Sequence, residues 1–491
     1  MLDGRNEEDR RIYERSARLI LLLAVRQIAP GAKVRFEHSI GHGIYMNVTG
    51  VGLTAALTRE IEACMRDIVR RDLPITRERW TREQASAYFE AQGQEDTVRL
   101  LRYRQFSHFD IYTCAGLSDY FYGAMVQSTG EIKRFALRFY YPGMVLLLPG
   151  EDLQGEVAPF AERPQLMRTY AEANEVSRIL QCETAADLND IIARGEMRTF
   201  IRVNEALQDR MIAHIAERIV ARGARVVFVA GPSSSGKTTF ANRLSIQLRV
   251  SGKRPVAVSL DNYYRNRNEV PTGSDGKPDL ECLEAIDVPL FNEQLVELLA
   301  GREVELPLYS FKTGNRMEQG VREKLEEDEI LIIEGIHGLN DALSEDIPAE
   351  MKFRIYVSAL TQLNLDCHNR IRTTDVRLLR RMVRDHRTRN TDALGTLQMW
   401  DNVRAGEEAY IFPFQERADV MFNSSLLYEI AVLKKYAYPM LKDVPKDDPH
   451  YTRSRRLIKF LNYFLDCEDE SEIPPTSILR EFVGGCTFYD E

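Results

Sequence analysis

The sequence predicts an α/β protein, with a parallel sheet flanked by helices in its C-terminal half and a smaller α+β region before it. Three observations carry this. From about residue 223 onward, short apolar runs alternate with helical patterns, the mark of strands joined by crossover helices. A Gly/Ser-rich stretch, Gly231 to Thr239, lies between one such run and a helical pattern. Before about residue 155, helical and strand-like segments are mixed and punctuated by Pro-Gly pairs.

Taken in order, a helical pattern covers Tyr13 to Gln27 and stops at Pro30-Gly31, a pair of helix breakers. A hairpin-like stretch follows around Gly41 to Val48, then a second helix from about Thr54 to Arg71. Strand signals appear at Phe109–Thr113 and Phe135–Tyr141, the latter ending at Pro142-Gly143. Residues 156–222 are charged, helical and poor in breakers, and read as a connector. The strands expected beyond it are Arg225–Ala230, Pro255–Leu260, Ile330–Ile333, Phe353–Val357 and Asp419–Phe422. Several are near-continuous apolar runs, as in strands covered on both faces. The expected division is 1–155, 156–222, 223–445, and a C-terminal helix with a docking tail over 446–491. The acidic run Glu323 to Glu329 reads as a solvated face.

Composition narrows the class. The 491 residues carry 65 Lys+Arg and 74 Asp+Glu, a formal charge of −9, with 44% hydrophobic and 28% charged residues. This is ordinary globular usage and speaks against a general nucleic-acid binder. Seven scattered cysteines without a CxxC pair indicate free thiols in a reducing compartment. The start, MLDGRNEEDRR, lacks the apolar core of a signal peptide, and the run Leu19–Val25 is far short of the roughly 20 residues that span a bilayer. A cytoplasmic protein is expected, and a homo-oligomer is left open.

The strongest motif is Gly231-Pro-Ser233-Ser234-Ser235-Gly236-Lys237-Thr238-Thr239, which fits GxxxxGK[ST] between a strand and a helix. Glycines let the backbone curl so that successive N–H groups point at phosphate oxygens, and the helix N-terminus adds partial positive charge. Lys237 is expected on the β- and γ-phosphates of a nucleoside triphosphate, and the Thr238 hydroxyl on Mg²⁺. The next strand runs into Asp261, at a strand end that faces the same crevice. A carboxylate there can take the proton of an attacking hydroxyl. A further strand ends in Glu334, an acid placed to organise Mg²⁺. The stretch Arg370 to Arg389 holds eight arginines. On a helix Arg377, Arg380, Arg381 and Arg384 share one face, suited to closing over a transferring phosphoryl group.

With these residues in hand, positions 223–440 resemble the uridine kinase/phosphoribulokinase family of P-loop kinases. Ser259-Leu-Asp261-Asn-Tyr263-Tyr264 resembles the segment with the catalytic aspartate. Ile286-Asp287-Val-Pro289 is similar to the acidic turn that holds the ribose hydroxyls, Pro307-Leu-Tyr309-Ser-Phe311 to the acceptor-pocket strand, and Ile332-Ile-Glu334-Gly-Ile336 to the metal-organising segment. Asp375-Val-Arg377 through Arg384-Asp385 resembles the lid helix. The resemblance implies catalytic roles for Asp261, Lys237, Arg377, Arg381 and Arg384. It implies acceptor contacts from Tyr263, Tyr264, Asp287, Tyr309, Arg316 and Arg377. Two departures concern the acceptor and the lid. Gly314 stands where uridine kinases have a base-reading histidine, and Arg389-Asn390-Thr391 stands where they have Arg-Gly-Arg.

The N-terminal stretch resembles the second additional, editing domain of threonyl- and alanyl-tRNA synthetases. The matching pieces are Ala24–Pro30, Gly43-Ile-Tyr45-Met-Asn-Val48, and Leu117-Ser-Asp119 through Thr129-Gly130. On that alignment Arg15, Leu19, Phe121 and Met125 occupy the four metal-ligand positions, and none suits Zn²⁺. His38-Ser-Ile-Gly-His42 falls in the hairpin instead. The segment Ile473 to Gly485 is similar to the ends of bacterial nucleoside kinases with this domain order.

These readings point to an ATP- and Mg²⁺-dependent nucleoside kinase with a small-molecule acceptor. One alternative acceptor is a sugar, sugar phosphate or other polyol. An alternative of another class is a nucleotide-switched RNA- or tRNA-associated binding protein.

Overall fold

The computed structural model describes residues 7–104, 106–150, 152–273, 276, 278–310 and 313–488. Phe311, expected in the acceptor-pocket strand, lies outside them.

Helix α1 (Glu7–Ile28) opens on Glu7, Glu8 and Asp9, acids that suit the positive end of the helix dipole. Its run Leu19–Val25 is buried throughout. Strands β1 (Lys33–Ile40) and β2 (Gly43–Thr49) form the expected hairpin. Helix α2 (Ala55–Arg70) starts at Thr54, whose hydroxyl accepts the Leu57 N–H at 3.2 Å. Then come β3 (Thr76–Thr81), α3 (Arg82–Ala91), α4 (Glu95–Tyr103), β4 (His108–Cys114), β5 (Leu117–Tyr120), β6 (Ala136–Tyr140) and β7 (Gly143–Leu147). They make an antiparallel sheet in the order β1-β2-β7-β6 and a second one, β3-β4-β5.

Three helices follow, α5 (Pro164–Ile179), α6 (Ala185–Ala193) and α7 (Met197–Arg222). They lead into the parallel sheet of β8 (Val226–Ala230), β9 (Arg254–Ser259), β14 (Glu329–Glu334), β15 (Lys352–Ser358) and β16 (Val420–Asn423), ordered β16-β15-β8-β14-β9. Helix α8 (Lys237–Val250) crosses from β8 to β9, and α9 (Val288–Leu299) follows. Four short strands, β10 (Val304–Leu306), β11 (Tyr309–Ser310), β12 (Asn315–Arg316) and β13 (Val321–Glu323), make two small ladders, β10 with β13 and β11 with β12. Beyond β15 lie α10 (Thr373–Arg389) and α11 (Ala393–Tyr410). After β16 come α12 (Glu429–Lys442), α13 (Tyr451–Leu461) and α14 (Arg480–Val483). No helix among the described residues is long and apolar enough to cross a membrane.

The five sheet strands expected from the apolar runs are all present and all parallel. β8, in the middle of the sheet, is buried at every residue, which is why its sequence reads VVFVA without alternation. One hydrophobic core joins distant parts of the chain: Phe89 of α3, Val227 of β8, Phe240 of α8, Leu379 of α10 and Phe482 of α14 belong to the same cluster. Burying a side chain such as Phe482 contributes about 1.5–3 kcal/mol, so segment 478–483 is part of the core.

Candidate active site

The loop after β8 is shaped by two close approaches. A Cβ at Gly231 would lie 1.9 Å from the Val357 carbonyl oxygen of β15, so only glycine fits there. Gly236 has φ +82 and caps α8, and a Cβ on it would lie 2.5 Å from Ile478 Cγ2. Ser234 also has a positive φ, +58, a strained position for a residue with a side chain. The loop is supported from below. The Ser424 hydroxyl donates to the Ser235 carbonyl at 2.5 Å. Arg380, fully buried, reaches the Ser234 carbonyl at 3.5 Å and the Ser424 carbonyl at 2.9 Å while paired with Glu429 at 2.6 Å.

Lys237 and Thr238 open α8, with the Lys237 ammonium 3.4 Å from the Pro232 carbonyl. The Thr238 hydroxyl donates to Glu334 Oε1 at 3.3 Å, while Glu334 Oε2 is buried with no hydrogen-bond partner among the described residues. Burial raises the Glu334 carboxyl to about 7, with Asp261 and Glu481 adding to the rise and Lys237 opposing it. An orphaned buried carboxylate oxygen beside a hydroxyl is an all-oxygen, hard donor set, which fits Mg²⁺. Asp261 lies in the turn directly after β9, and β9 is the neighbour of β14. Burial pushes its carboxyl up, against the pull of Lys237 and Arg389. Asp261, Lys237, Thr238 and Glu334 thus converge at the carboxyl ends of β8, β14 and β9.

The expected acceptor residues form a neighbouring wall. Asp287 caps α9 and pairs with Arg316 at 3.1 Å, while Arg316 also donates to the Tyr263 and Tyr264 carbonyls, each at 2.9 Å. Tyr263 is buried with its hydroxyl on Gln294. The Tyr264 and Tyr309 rings sit 5.5 Å apart. Gly314 has φ +72, and its carbonyl accepts the Arg267 N–H at 2.9 Å. A tight turn therefore occupies the place where the resembled uridine kinases have a histidine.

The arginine face of α10 divides into different roles. Arg381 donates to the Ser233 hydroxyl at 2.7 Å, and Arg384 pairs with Asp385 at 2.7 Å. Arg377, expected both at the transferring group and on the acceptor sugar, is 1% exposed. Its guanidinium is bound to Glu407 at 2.5 Å and lies over the Trp400 ring. That position gives it no open surface toward an acceptor, and it acts here as a brace.

Three carboxylates near the loop carry no sequence signal. Glu407 of α11 accepts the Ser233 backbone N–H at 3.0 Å, along with Arg377 and Arg404. Glu281 is raised to about 7 by burial and by the charge of Glu407, against Arg381 and Lys237. Glu481 of α14 accepts the Thr239 hydroxyl at 2.7 Å and its backbone N–H at 3.4 Å, in the first turn of α8. The tail segment therefore docks on the phosphate loop itself. Phe482 lies against the Arg380 guanidinium, and its carbonyl accepts from Arg387. Only spatial proximity reveals these acids, because Glu407 and Glu481 lie far along the chain from the loop they touch, and Glu281 acts on it through charge alone.

In the N-terminal region, Arg15 pairs with Glu8, and Leu19 and Phe121 are buried among apolar side chains with Met125 packed against them. His38 stacks on Tyr170 with ring centroids 3.5 Å apart, and burial lowers it to about 3, so it is neutral.

Residues 226–430 match the model of the phosphoribulokinase / uridine kinase family. A uridine kinase from Yersinia enterocolitica is 30% identical over 200 residues, 40% of this chain and 85% of its own length. The chain belongs to the phosphoribulokinase/uridine kinase family. It is a phosphotransferase acting on a hydroxyl group. A uridine kinase from Lactobacillus helveticus is 28% identical over 208 residues, 42% of this chain and 90% of its own length. A solved "Possible Uridine Kinase" from Bacillus stearothermophilus aligns with 44% of this chain and all of its own, at 21% identity and a TM-score of 0.31.

Proposed function

We propose that this kinase transfers the γ-phosphoryl group of ATP to a hydroxyl of a nucleoside. The supporting observation is the convergence of Asp261, Lys237, Thr238 and Glu334 on one crevice beside the Tyr264–Tyr309 wall. Lys237 and the N–H groups at the start of α8 bind the triphosphate. Thr238 and Glu334 hold Mg²⁺, which when bound neutralises charge on the β- and γ-phosphate oxygens. Asp261 takes the proton from the attacking hydroxyl, and Arg381 and Arg384 stabilise the charge spreading over the transferred group. Tyr263, Tyr264, Asp287, Tyr309 and Arg316 shape the acceptor pocket.

The turn at Gly314 favours a second reading of the acceptor. With no side chain there to read a base, a sugar, sugar phosphate or other polyol becomes the competing substrate. For residues 1–155 we infer a synthetase-editing-like domain without its metal site, resting on the sequence pieces named above.

ADP release from Mg-ATP across nucleosides, sugars and sugar phosphates, with Asp261→Asn alongside, tests this. Release that depends on a nucleoside and falls at least a hundredfold in the variant is expected. Turnover with a polyol alone replaces the nucleoside reading, and full turnover by Asp261→Asn removes the base assignment.

A further inference from the structure

A buried arginine cluster joins α1 to the segment leading into α10. Arg11, Arg15 and Arg18 come from α1, Arg370 and Arg372 from the lead-in, and Arg456 from α13. With Glu14 and Tyr122 they line one cavity. Glu14 takes Arg370 at 3.2 Å, Arg18 at 3.9 Å, and Arg372. Asp375, in the first turn of α10, takes Arg11 and Arg456, each at 2.7 Å. Glu7 takes Arg11 at 2.5 Å and Glu8 takes Arg15 at 2.6 Å. With Arg453, which reaches both Glu7 and Asp401, these ion pairs set seven guanidiniums against five carboxylates among the described residues, an excess of two positive charges.

The excess is felt locally. Arg18 is 4% exposed, and its Nε has no hydrogen-bond partner among the described residues. Burial first, and the neighbouring arginines after it, bring Arg18 down to about 10 and Arg372 down to about 9. Arg18 shares Glu14 with two other arginines and otherwise donates only to the His368 carbonyl among the described residues, at 2.9 Å. A buried surplus of like charge is normally completed by a counter-ion. Glu14, Arg370 and Arg372 also border a cleft of about 520 Å³, which runs between the β1–β2 turn and Trp400 and Arg404 of α11. That is the size of a small-molecule site.

We propose that this junction binds a small, multiply charged oxyanion of the phosphate class, either inorganic pyrophosphate or a phosphate monoester, with its charged end on Arg370 and Arg372 and the rest in the cleft. Anion binding here ties α1 to the first turn of α10, the helix whose Arg381 touches the phosphate loop. The site is separate from the kinase crevice and does not depend on the acceptor.

The test uses the full chain carrying Lys237→Ala, which cripples the phosphate loop. Pyrophosphate and ribose 5-phosphate are titrated in turn by calorimetry. Binding of one equivalent of either, weakened at least tenfold by adding Arg372→Gln, supports the proposal, and the tighter of the two identifies the ligand type. No binding to the Lys237→Ala chain, or binding indifferent to Arg372→Gln, overturns it. Should the double variant fail to fold, amide exchange in Lys237→Ala decides. Ligand-dependent protection of α1 and residues 366–376 is expected, and its absence refutes the site.

Discussion

Replacing Glu481 with Gln is expected to tighten ATP binding about tenfold. The carboxylate accepts the Thr239 hydroxyl at 2.7 Å and the Thr239 N–H at 3.4 Å, among the first-turn groups that a P-loop offers to phosphate. A nucleotide entering this loop must displace that contact. A hydrogen bond to a charged group contributes about 1.5–3 kcal/mol. Since 1.4 kcal/mol is a factor of ten, the carboxylate lowers apparent affinity by about 10- to 100-fold. An amide still accepts from the Thr239 hydroxyl without the charge, which places the gain near the lower end. The packing of Ile478, Leu479 and Phe482 is untouched by this change, so the tail stays in place. The assay is calorimetric titration of Mg-ATP into the wild-type and Glu481→Gln chains, with KM for ATP and kcat measured in parallel. Lower Kd and KM at constant kcat are expected. Equal or weaker ATP binding in the variant would show that the carboxylate supports the cradle, and the competition argument would fail.

Glu334→Gln should abolish Mg²⁺-dependent turnover and yet stabilise the metal-free protein. Burial pushes the folded carboxyl up to about 7 from an ordinary 4.5, so the wild-type chain loses stability as pH rises between those values. By linkage the variant gains up to about 3 kcal/mol at pH 8 and nothing at pH 4, which thermal melts in EDTA will show. Gly236→Ala, at φ +82 and against Ile478, should cost about 1–3 kcal/mol in strain and weaken ATP binding, read by melting and titration. Arg380→Met leaves Glu429 unpaired in the core and should cost about 3–5 kcal/mol in urea unfolding, with much of it recovered in Arg380→Met/Glu429→Leu.

The sheet and the phosphate loop were legible because their signals are local. Strands β8 and β14 are apolar runs that only a doubly covered strand tolerates; Gly231 sits where the β15 backbone leaves no room for a side chain, and Gly236 where a positive φ and the Ile478 side chain exclude one. Asp261 and Glu334 were legible from strand ends alone. Of the short ladders only β11 was legible, through the resemblance of Pro307 to Phe311 to an acceptor-pocket strand; β10, β12 and β13, at two or three residues each, have no periodicity to read. Arg377 was misplaced for a different reason. Helical spacing gives the face of a side chain but not its partner, and Glu407 comes from another helix 30 residues on. The same limit hid Glu481 and the arginine cluster, whose members join α1 to residues more than 350 positions away.

The separation between Thr239 and Glu481 is 242 residues. At about 5–20 residues per second a ribosome needs roughly 12–50 s to cover that interval. Throughout it, the first turn of α8 exists on the nascent chain without the carboxylate that later caps it. The phosphate-binding loop is therefore made in an uncapped form and acquires its acidic cover only once Glu481 has been added.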